Sequence, residues 1–204
     1  TSEEKSKRVW VKIKEKCGSR GSQQIYWAFL SELDEIENTL FQYIQHALSS
    51  PKDITKDFAH PAVLKVAQTV KQVGREKHRM DAFVRFRKTK DDIYFATVEP
   101  DFNVLPLNAK HFKNRYADQK WCIYDLKRNY GIYYNLETVE VIQLELPTSI
   151  LETSTIFFTT EEIQFQHLWK NYFDSTNIKS RKNTKLHQQH VPKRYWKYLS
   201  EKYL

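Results

Sequence analysis

Two stretches in the middle of the chain decide the fold: FVRFRKTKDDIYFATVE at residues 83–99 and WCIYDLKRNYGIYYNLETVEVIQL at residues 121–144. β-branched and aromatic residues recur in both with a period of two, which is typical of strands. The pattern predicts five strands, at residues 83–88, 93–99, 121–126, 130–135 and 138–144. A hairpin turn is predicted near residues 89–92, and Gly131 and Asn135 are candidate turn residues. Residues 93–98 are apolar on both faces, so this strand should be central.

Apolar residues at helical spacing occur on both sides of these strands. We predict helices at residues 3–16, 22–48 with a break near 33–34, 61–80, 106–117, 161–174, and from Pro192 onward. The candidate core residues of two of these helices are Ile25, Phe29, Leu33, Ile36, Leu40, Ile44, Leu48, Ile163, Leu168, Trp169 and Phe173. The predicted fold class is therefore α+β, with a mostly antiparallel sheet of about five strands over residues 83–144 flanked by N-terminal and C-terminal helices.

A chain of 204 residues fits one domain. We predict a single compact domain over residues 1–204: a helical part at 1–80, a sheet part at 81–145 with the inserted helix 106–117, and a basic helical part at 146–204. Aromatic residues make up 14% of the chain, which excludes general disorder. A start at Thr1 rather than Met is consistent with a trimmed fragment.

Several function classes are disfavoured by composition. With 4 glycines and no GxGxxG or P-loop pattern, the chain lacks Gly-rich phosphate loops, and we expect no cofactor. Cys17 and Cys122 are far apart in sequence, as expected for a reducing cytoplasm. No apolar run approaches the roughly 20 residues of a membrane span, so no membrane association is expected. The HQQH motif at residues 187–190 lacks further ligands, and we expect no metal site.

Charge is segregated along the chain, whose net charge is +8. Residues 176–204 carry eight Lys and Arg against one Glu, and residues 71–90 carry eight against two acids, which leaves −5 for the rest. Aromatic residues are set among the C-terminal bases, namely Tyr195, Trp196, Tyr198 and Tyr203. Basic side chains that bind phosphates, next to aromatic side chains that stack on bases, are typical of a nucleic-acid-binding surface. A solvated surface that keeps the protein soluble explains the charge equally well.

Two elements carry pairs of candidate phosphate contacts. On the strand at residues 83–88, Arg85 and Arg87 should share one face about 7 Å apart, close to the spacing of neighbouring phosphates. A solvated edge is the alternative. On the helix at residues 106–117, His111 and Arg115 are i and i+4 and share a face. That face could contact phosphate with His111 as an acid or base, or it could hold an Arg115–Asp118 ion pair and a hydrogen-bonded histidine.

The remaining candidates lie near turns and in the tail. Arg79 follows His78 at the end of a predicted helix, where a local pair with Glu76 is the alternative to a phosphate contact. Asp125, with Lys127 and Arg128 beside it, is either a carboxylate in a basic pocket or a residue that pins the turn.

In the tail, Lys193 and Arg194 fall in the first helical turn, where free N–H groups also attract anions. Tyr195 and Tyr198 are the candidate exposed rings, whereas Trp196 should share a core face with Leu199.

At these residues the chain resembles an uncharacterised bacterial domain family described as DNA metabolism or DNA repair proteins. The resemblance rests on residues 76–87 (EKHRM and AFVRFR), on residues 99–134 (EPDFNVLPL, RYADQKWCIYDLKR and YGIYY) and on residues 181–199 (RKN and PKRYWKYL). It extends over most of the chain, whereas the short strand and helix that begin the family are absent here. One departure is His187, where relatives more often have Gln.

The resemblance implies a role without a mechanism. Family members are typically encoded beside a radical-SAM protein proposed to act on DNA, and some are fused to a uracil-DNA glycosylase domain. This context implies a cytoplasmic accessory factor in DNA repair or modification with DNA and a radical-SAM protein as partners, and no catalytic residue follows from it. The matched polar positions are His78, Arg79, Arg85, His111, Arg115, Asp125, Arg128, Asn183, Lys193, Arg194 and Tyr195.

Three hypotheses follow. In the first, a DNA-binding accessory protein tracks phosphates with Arg79, Arg85, Arg87, His111, Arg115, Arg128, Arg181, Lys193 and Arg194 and stacks Tyr195 on bases. In the second, an enzyme acts on damaged nucleic acid with His111, His78 or Asp125 as proton carriers. In the third, an interaction module binds an acidic patch of a protein partner through its basic face.

Overall fold

A computed structural model of the chain describes residues 2–144, 157–176 and 184–203. The chain divides into two compact units, which we call the helical unit (residues 1–78 and 101–104) and the sheet unit (residues 79–100 and 105–204). The single domain predicted over residues 1–204 stays a prediction. Part of the basic helical region predicted at residues 146–204 lies outside the described residues, including Arg181 and Asn183. No helix in the described ranges is long and apolar enough to cross a membrane.

Three helices build the helical unit: α1 (Glu3–Phe29), α2 (Ile36–Ser49) and α3 (Pro61–Phe83), the last of which continues into the sheet unit. The core of the unit is formed by Ile25, Ile36, Leu40, Tyr43, Val63 and Val66. The predicted helix at residues 3–16 and the first part of that at residues 22–48 are joined into α1 across residues 17–21, with a kink at Gly18, where φ is 64°.

The break expected near residues 33–34 is confirmed: the helix predicted at residues 22–48 is interrupted over residues 30–35, with Glu32 and Glu35 at positive φ. Helical periodicity does not continue across this break, and Phe29 and Leu48, both predicted to be core residues, are exposed.

The α+β class and the mostly antiparallel five-stranded sheet are confirmed. The strands are β1 (Arg87–Lys88), β2 (Tyr94–Val98), β3 (Trp121–Asp125), β4 (Tyr130–Tyr134) and β5 (Val139–Ile142), in the order 1-2-3-4-5. β1 is shorter than predicted because α3 runs on to Phe83 and takes up the start of that stretch. Gly131 lies inside β4 rather than in a turn, whereas Asn135 does form one, since its Oδ1 accepts hydrogen bonds from the N–H groups of Glu137 and Thr138.

One pair of strands departs from the antiparallel pattern. β2 and β3 run parallel, and the chain between them forms the crossover helix α4 (Leu105–Arg115). Because side chains alternate along a strand, Phe95, Cys122 and Tyr124 share one face of the sheet. Trp121 lies on the other face, where its ring packs against Phe112 of α4 with centroids 6.0 Å apart. The carboxyl ends of β2 and β3 therefore meet at one edge.

The C-terminal elements are α5 (Thr160–Thr176), α6 (Thr184–His190), a 3₁₀ helix (Lys193–Tyr198) and α7 (Ser200–Tyr203). α5 buries Gln166 and leaves Leu168 and Trp169 exposed, so the prediction that these two are core residues is wrong. The apolar side chains of α5 therefore do not coincide with the helix face that is buried.

Candidate functional site

The carboxyl edge of the parallel pair gathers polar residues from distant parts of the sequence. Val98 of β2 pairs with Asp125 of β3, so Glu99, which follows β2, lies beside the turn that follows β3. In open sheets with parallel strands, ligands bind outside the carboxyl ends of the strands. This edge is therefore the first place in the sheet unit to look for a site.

Asp125 holds the turn after β3. Its Oδ1 accepts hydrogen bonds from the N–H of Lys127 (2.9 Å) and of Arg128 (3.2 Å), and its Oδ2 is 2.8 Å from Nη1 of Arg128. The same Nη1 also donates to the carbonyl oxygen of Pro100 at 3.1 Å. Burial raises the pKa of Asp125, while the Arg128 guanidinium opposes the shift. Of the two roles expected for Asp125, the structure shows the turn, and Arg128 is buried with it.

Glu99 ties the 3₁₀ helix to the end of β2. Its Oε2 accepts hydrogen bonds from Nζ of Lys197 and from Oη of Tyr198. Burial raises the pKa of the Glu99 carboxyl, but these two hydrogen bonds and the charge of Lys197 outweigh it, and the pKa is lowered. Burial and the hydrogen bond to Glu99 raise the pKa of Tyr198. Lys197 and Tyr198 are therefore fixed in position by a charged acceptor.

A cavity of ≈ 250 Å³ opens beside these two residues, and we call it the edge cavity. From the side of the sheet it is lined by Arg85, Phe86, Arg87 and Thr97. From the C-terminal side it is lined by Glu162, Phe165, Gln166, Trp169, Lys197 and Tyr198. All ten residues belong to the sheet unit.

Each cation of the edge cavity is engaged by the protein. Nη2 of Arg85 lies 3.0 Å from Oε1 of Glu201, whose Oε2 accepts a hydrogen bond from Nε1 of Trp169 at 3.2 Å. Burial raises the pKa of Glu201, but its hydrogen bonds, including that from Arg85, outweigh this and the pKa is lowered. The buried Arg87 guanidinium lies 4.2 Å from the centroid of the Phe158 ring.

Gln166 is the unusual residue of the edge cavity. It is 4% exposed, and its Nε2 donates to Oε1 of Glu162 at 3.1 Å. Oε2 of Glu162 in turn accepts the N–H of Lys88 at 3.1 Å, which fixes the orientation of the pair. Oε1 of Gln166 is buried and has no hydrogen-bond partner in the described part of the chain. An unsatisfied buried acceptor costs about 1–3 kcal/mol, so this atom needs a reason.

The two arginines that were predicted to share one strand face reach the edge cavity from different positions. Arg85 and Arg87 both line it, but Arg85 precedes β1 rather than lying on a strand. Their side chains make contacts within the protein instead of forming a solvated edge. Arg79 is half-buried on α3 and has interactions of its own.

His111 and Arg115 lie on α4, which packs on the Trp121 face of the sheet. His111 is half-buried and meets the Phe112 ring edge-on, with centroids 5.2 Å apart. Arg115 is exposed, and its Nε is 3.3 Å from Oη of Tyr116. Arg87 pairs with Phe95 and therefore lies on the opposite face of the sheet. The sheet thus separates Arg87 from His111 and Arg115.

In the C-terminal tail, the burial of Tyr195 differs from the prediction. This ring is 2% exposed and packs against Phe83 with centroids 5.3 Å apart, so the predicted exposed ring is wrong. The cause is the 3₁₀ helix, in which residues i and i+3 align: Tyr195 and Tyr198 both face the protein, while Arg194 and Lys197 are exposed. Lys193 is also exposed, and Nη2 of Arg194 donates to Oη of Tyr195.

Sequence reasoning missed most of the edge cavity. Gln166 and Glu201 carry no local signal, because their importance arises only from contacts between distant segments. The aromatic residues of α5 did carry a signal: Phe165, Trp169 and Tyr172 recur at i, i+4 and i+7 and should share a helix face. All three are exposed, which is unusual for large rings on one face.

Comparison with known proteins gave one match. A family model described as a domain of unknown function, DUF4130, matches residues 34–201, or 168 of the 204 residues. The matched range includes every residue that lines the edge cavity. No curated protein and no solved structure matched the chain.

Proposed function

We propose a function from the site itself, because the chain belongs to the DUF4130 family, a domain of unknown function whose description assigns no activity. The protein is a cytoplasmic DNA-binding accessory factor in DNA repair or modification that acts with a radical-SAM partner. The DNA-binding part is supported by the charge and the exposed rings of the sheet unit. The repair role and the radical-SAM partner rest on the family resemblance described above, and the cytoplasmic setting rests on that resemblance and on the two widely separated cysteines.

Charge in the protein is concentrated in the sheet unit. Its residues include 20 Lys and Arg against 14 Asp and Glu, a net of +6 out of the +8 of the whole chain. Exposed members include Lys110 and Arg115 of α4 and Lys193 and Arg194 of the 3₁₀ helix. A polyanion is the natural partner of such a surface, and its binding would weaken with salt as counterions are released.

The observation that carries the proposal is the meeting of exposed rings and cations at the edge cavity. Phe165 and Trp169 line the cavity and are exposed, and Lys197 lines it as well. Stacking of a base on an aromatic side chain is worth about 1–3 kcal/mol and tolerates any base. Exposed rings beside a basic helix therefore favour a nucleic acid with unstacked bases over other polyanions.

The geometry does not favour the enzyme hypothesis. Both carboxylate oxygens of Asp125 are engaged inside the protein, so it is not poised to exchange protons with a substrate. Among the described residues, His78 and His111 are not part of the lining of the edge cavity. An interaction module with a basic face remains the alternative that a binding experiment must separate.

The test is fluorescence anisotropy of the purified chain with single-stranded DNA, double-stranded DNA and RNA across a salt series. We expect binding to DNA whose logarithm falls linearly with that of the salt concentration, and tighter binding to single strands. Lys193→Gln should reduce the slope by about one. Lys65→Gln, the same change at an exposed site on α3 of the helical unit, is the matched control and should leave the slope unaltered.

Absence of binding even at low salt would contradict the DNA-binding proposal and favour a protein partner. Co-purification with a radical-SAM protein, tested at high salt, addresses the proposed partner separately. Persistence of that complex together with no affinity for DNA would favour the interaction module.

A further inference from the structure

We propose that the edge cavity holds one unpaired nucleobase of the bound nucleic acid. The base stacks against the exposed rings of Phe165 and Trp169 and donates an N–H to Oε1 of Gln166. This inference rests on the proposed function and adds to it the substrate class, a strand with at least one unpaired base.

The charge balance of the cavity favours a neutral ring over a phosphate. Arg85 is paired with Glu201, and Lys197 with Glu99, so two of the lining cations are already neutralised by carboxylates. Of the remaining charged residues in the lining, Glu162 adds one negative charge and Arg87 one positive charge, so the cavity is close to neutral. A phosphate in this position would compete with these carboxylates, whereas a neutral base would leave the ion pairs intact. Lys193 is exposed and lies outside the lining, so it is placed to contact the nucleic-acid backbone.

The hydrogen-bonding capacity of Gln166 favours a ligand that donates. Its amide nitrogen is committed to Glu162, and its buried oxygen has no partner among the described residues. Every nucleobase carries a ring N–H or an exocyclic amine on its pairing edge. A base that has left its partner presents such a donor, and Gln166 lines the cavity that would receive it.

The size and the rim of the cavity suit a single ring system. Its volume of ≈ 250 Å³ lies below the roughly 300–1,000 Å³ typical of sites for drug-sized ligands. Phe165 is 65% exposed, so one face of its ring is open to a stacking partner. A paired base is stacked on both sides and cannot present its edge here, so only a bulged, looped or single-stranded base fits.

The experiment compares two DNA duplexes that are identical except for a single-nucleotide bulge, which carries a base in one and an abasic analogue in the other. Affinities are measured by fluorescence anisotropy with the full chain. The wild type should bind the bulged base about 5-fold or more tightly than the abasic duplex, as expected for one stacked base. Phe165→Ala, which removes a stacking ring, should bring this ratio close to one, and Gln166→Met should lower it, while both leave the salt slope unaltered.

Phe41→Ala is the matched control, since Phe41 is 61% exposed on α2 of the helical unit; it should retain the full ratio. Equal binding of the two duplexes by the wild type would overturn the base pocket and leave DNA binding in place. Failure to bind either duplex would overturn the base pocket, and failure to bind single-stranded DNA as well would reject the proposed function. A full ratio in folded Gln166→Met would remove Gln166 from the site.

Discussion

The guanidinium of Arg85 and the carboxylate of Glu201 form an ion pair, with Nη2 3.0 Å from Oε1, although 116 residues separate them in sequence. The pair joins the segment before β1 to α7, and Arg85 lines the edge cavity. The side chain of Glu201 is 7% exposed and that of Arg85 is 33% exposed. Arg85, expected from the sequence to meet phosphates, is therefore also a structural residue whose replacement alters the site as well as its charge.

Glu201→Gln should destabilise the protein by about 1–2 kcal/mol. Removing one partner of a fully buried pair costs about 3–5 kcal/mol, and partial exposure of Arg85 reduces that cost through solvent screening. Urea unfolding followed by circular dichroism measures the change. The control is Glu3→Gln, because Glu3 pairs with Lys7 on the open surface of α1 and its loss should have little effect. Equal effects of the two changes would show that the Arg85–Glu201 pair contributes no more than a surface pair.

The carboxylates of Glu99 and Glu201 should make the free energy of unfolding depend on pH in the acid range. Burial raises the pKa of Glu99 and of Glu201, but it is outweighed by Lys197 and Tyr198 for the first and by a backbone hydrogen bond together with Arg85 for the second, so both pKa values are lowered from 4.5. The folded state then binds fewer protons than the unfolded state, and the stability that these groups contribute above pH 4.5 is lost as the pH falls through the folded-state pKa values.

Thermal unfolding of the wild type and of a Glu99→Gln, Glu201→Gln double variant between pH 7 and pH 3 checks this dependence. The wild type should lose more stability than the double variant on acidification, because glutamine does not titrate. Parallel curves would assign the acid sensitivity to other groups.

Much of the fold could be predicted because it depends on local pattern. Alternation in residues 83–144 located all five strands, and Asn135 was correctly placed in a turn. The parallel pairing of β2 with β3 was not predicted, since strand order is a property of the whole sheet. Tyr195 was misplaced because α-helical and 3₁₀ spacing put it on different faces. Gln166 could not have been found, since its buried oxygen is defined by neighbours far away in sequence.

Gly131→Ala should destabilise the sheet unit by about 1–3 kcal/mol, the usual cost of overpacking. A Cβ at this position in β4 would lie 2.9 Å from the carbonyl oxygen of Ile123 and 2.9 Å from Cδ2 of Tyr124. The backbone of β3 cannot move away without breaking its pairing with β4. Urea unfolding measures the effect.

The matched control is Gly74→Ala within α3, where a Cβ would approach only the Trp27 side chain, at 3.3 Å. Alanine is favoured over glycine in a helix interior by roughly 0.5–1 kcal/mol, so this change should be neutral or slightly stabilising. A loss at Gly74 equal to that at Gly131 would contradict the packing argument.

Gln166→Met should leave stability within about 1 kcal/mol of the wild type, which is unusual for a polar residue that is 4% exposed. The change removes the hydrogen bond to Glu162, worth about 0.5–1.5 kcal/mol, and also removes an unsatisfied oxygen that costs about 1–3 kcal/mol. Gln166→Met is measured by urea unfolding without nucleic acid, so the result reports on the free protein. A loss well above this range would mean that Gln166 is retained for stability.

Gln166→Glu keeps the shape of the side chain and adds a negative charge, so it tests the effect of charge at this position. It places a second carboxylate beside Glu162, whose Oε1 lies 3.1 Å from the amide nitrogen that would be replaced. Two carboxylates at this distance cannot both ionise without cost, so the variant should lose stability at pH 7. Protonation of one of them should recover that stability as the pH falls toward 5. A variant that is equally stable at both pH values would show that water reaches Gln166, and its oxygen would then need no ligand.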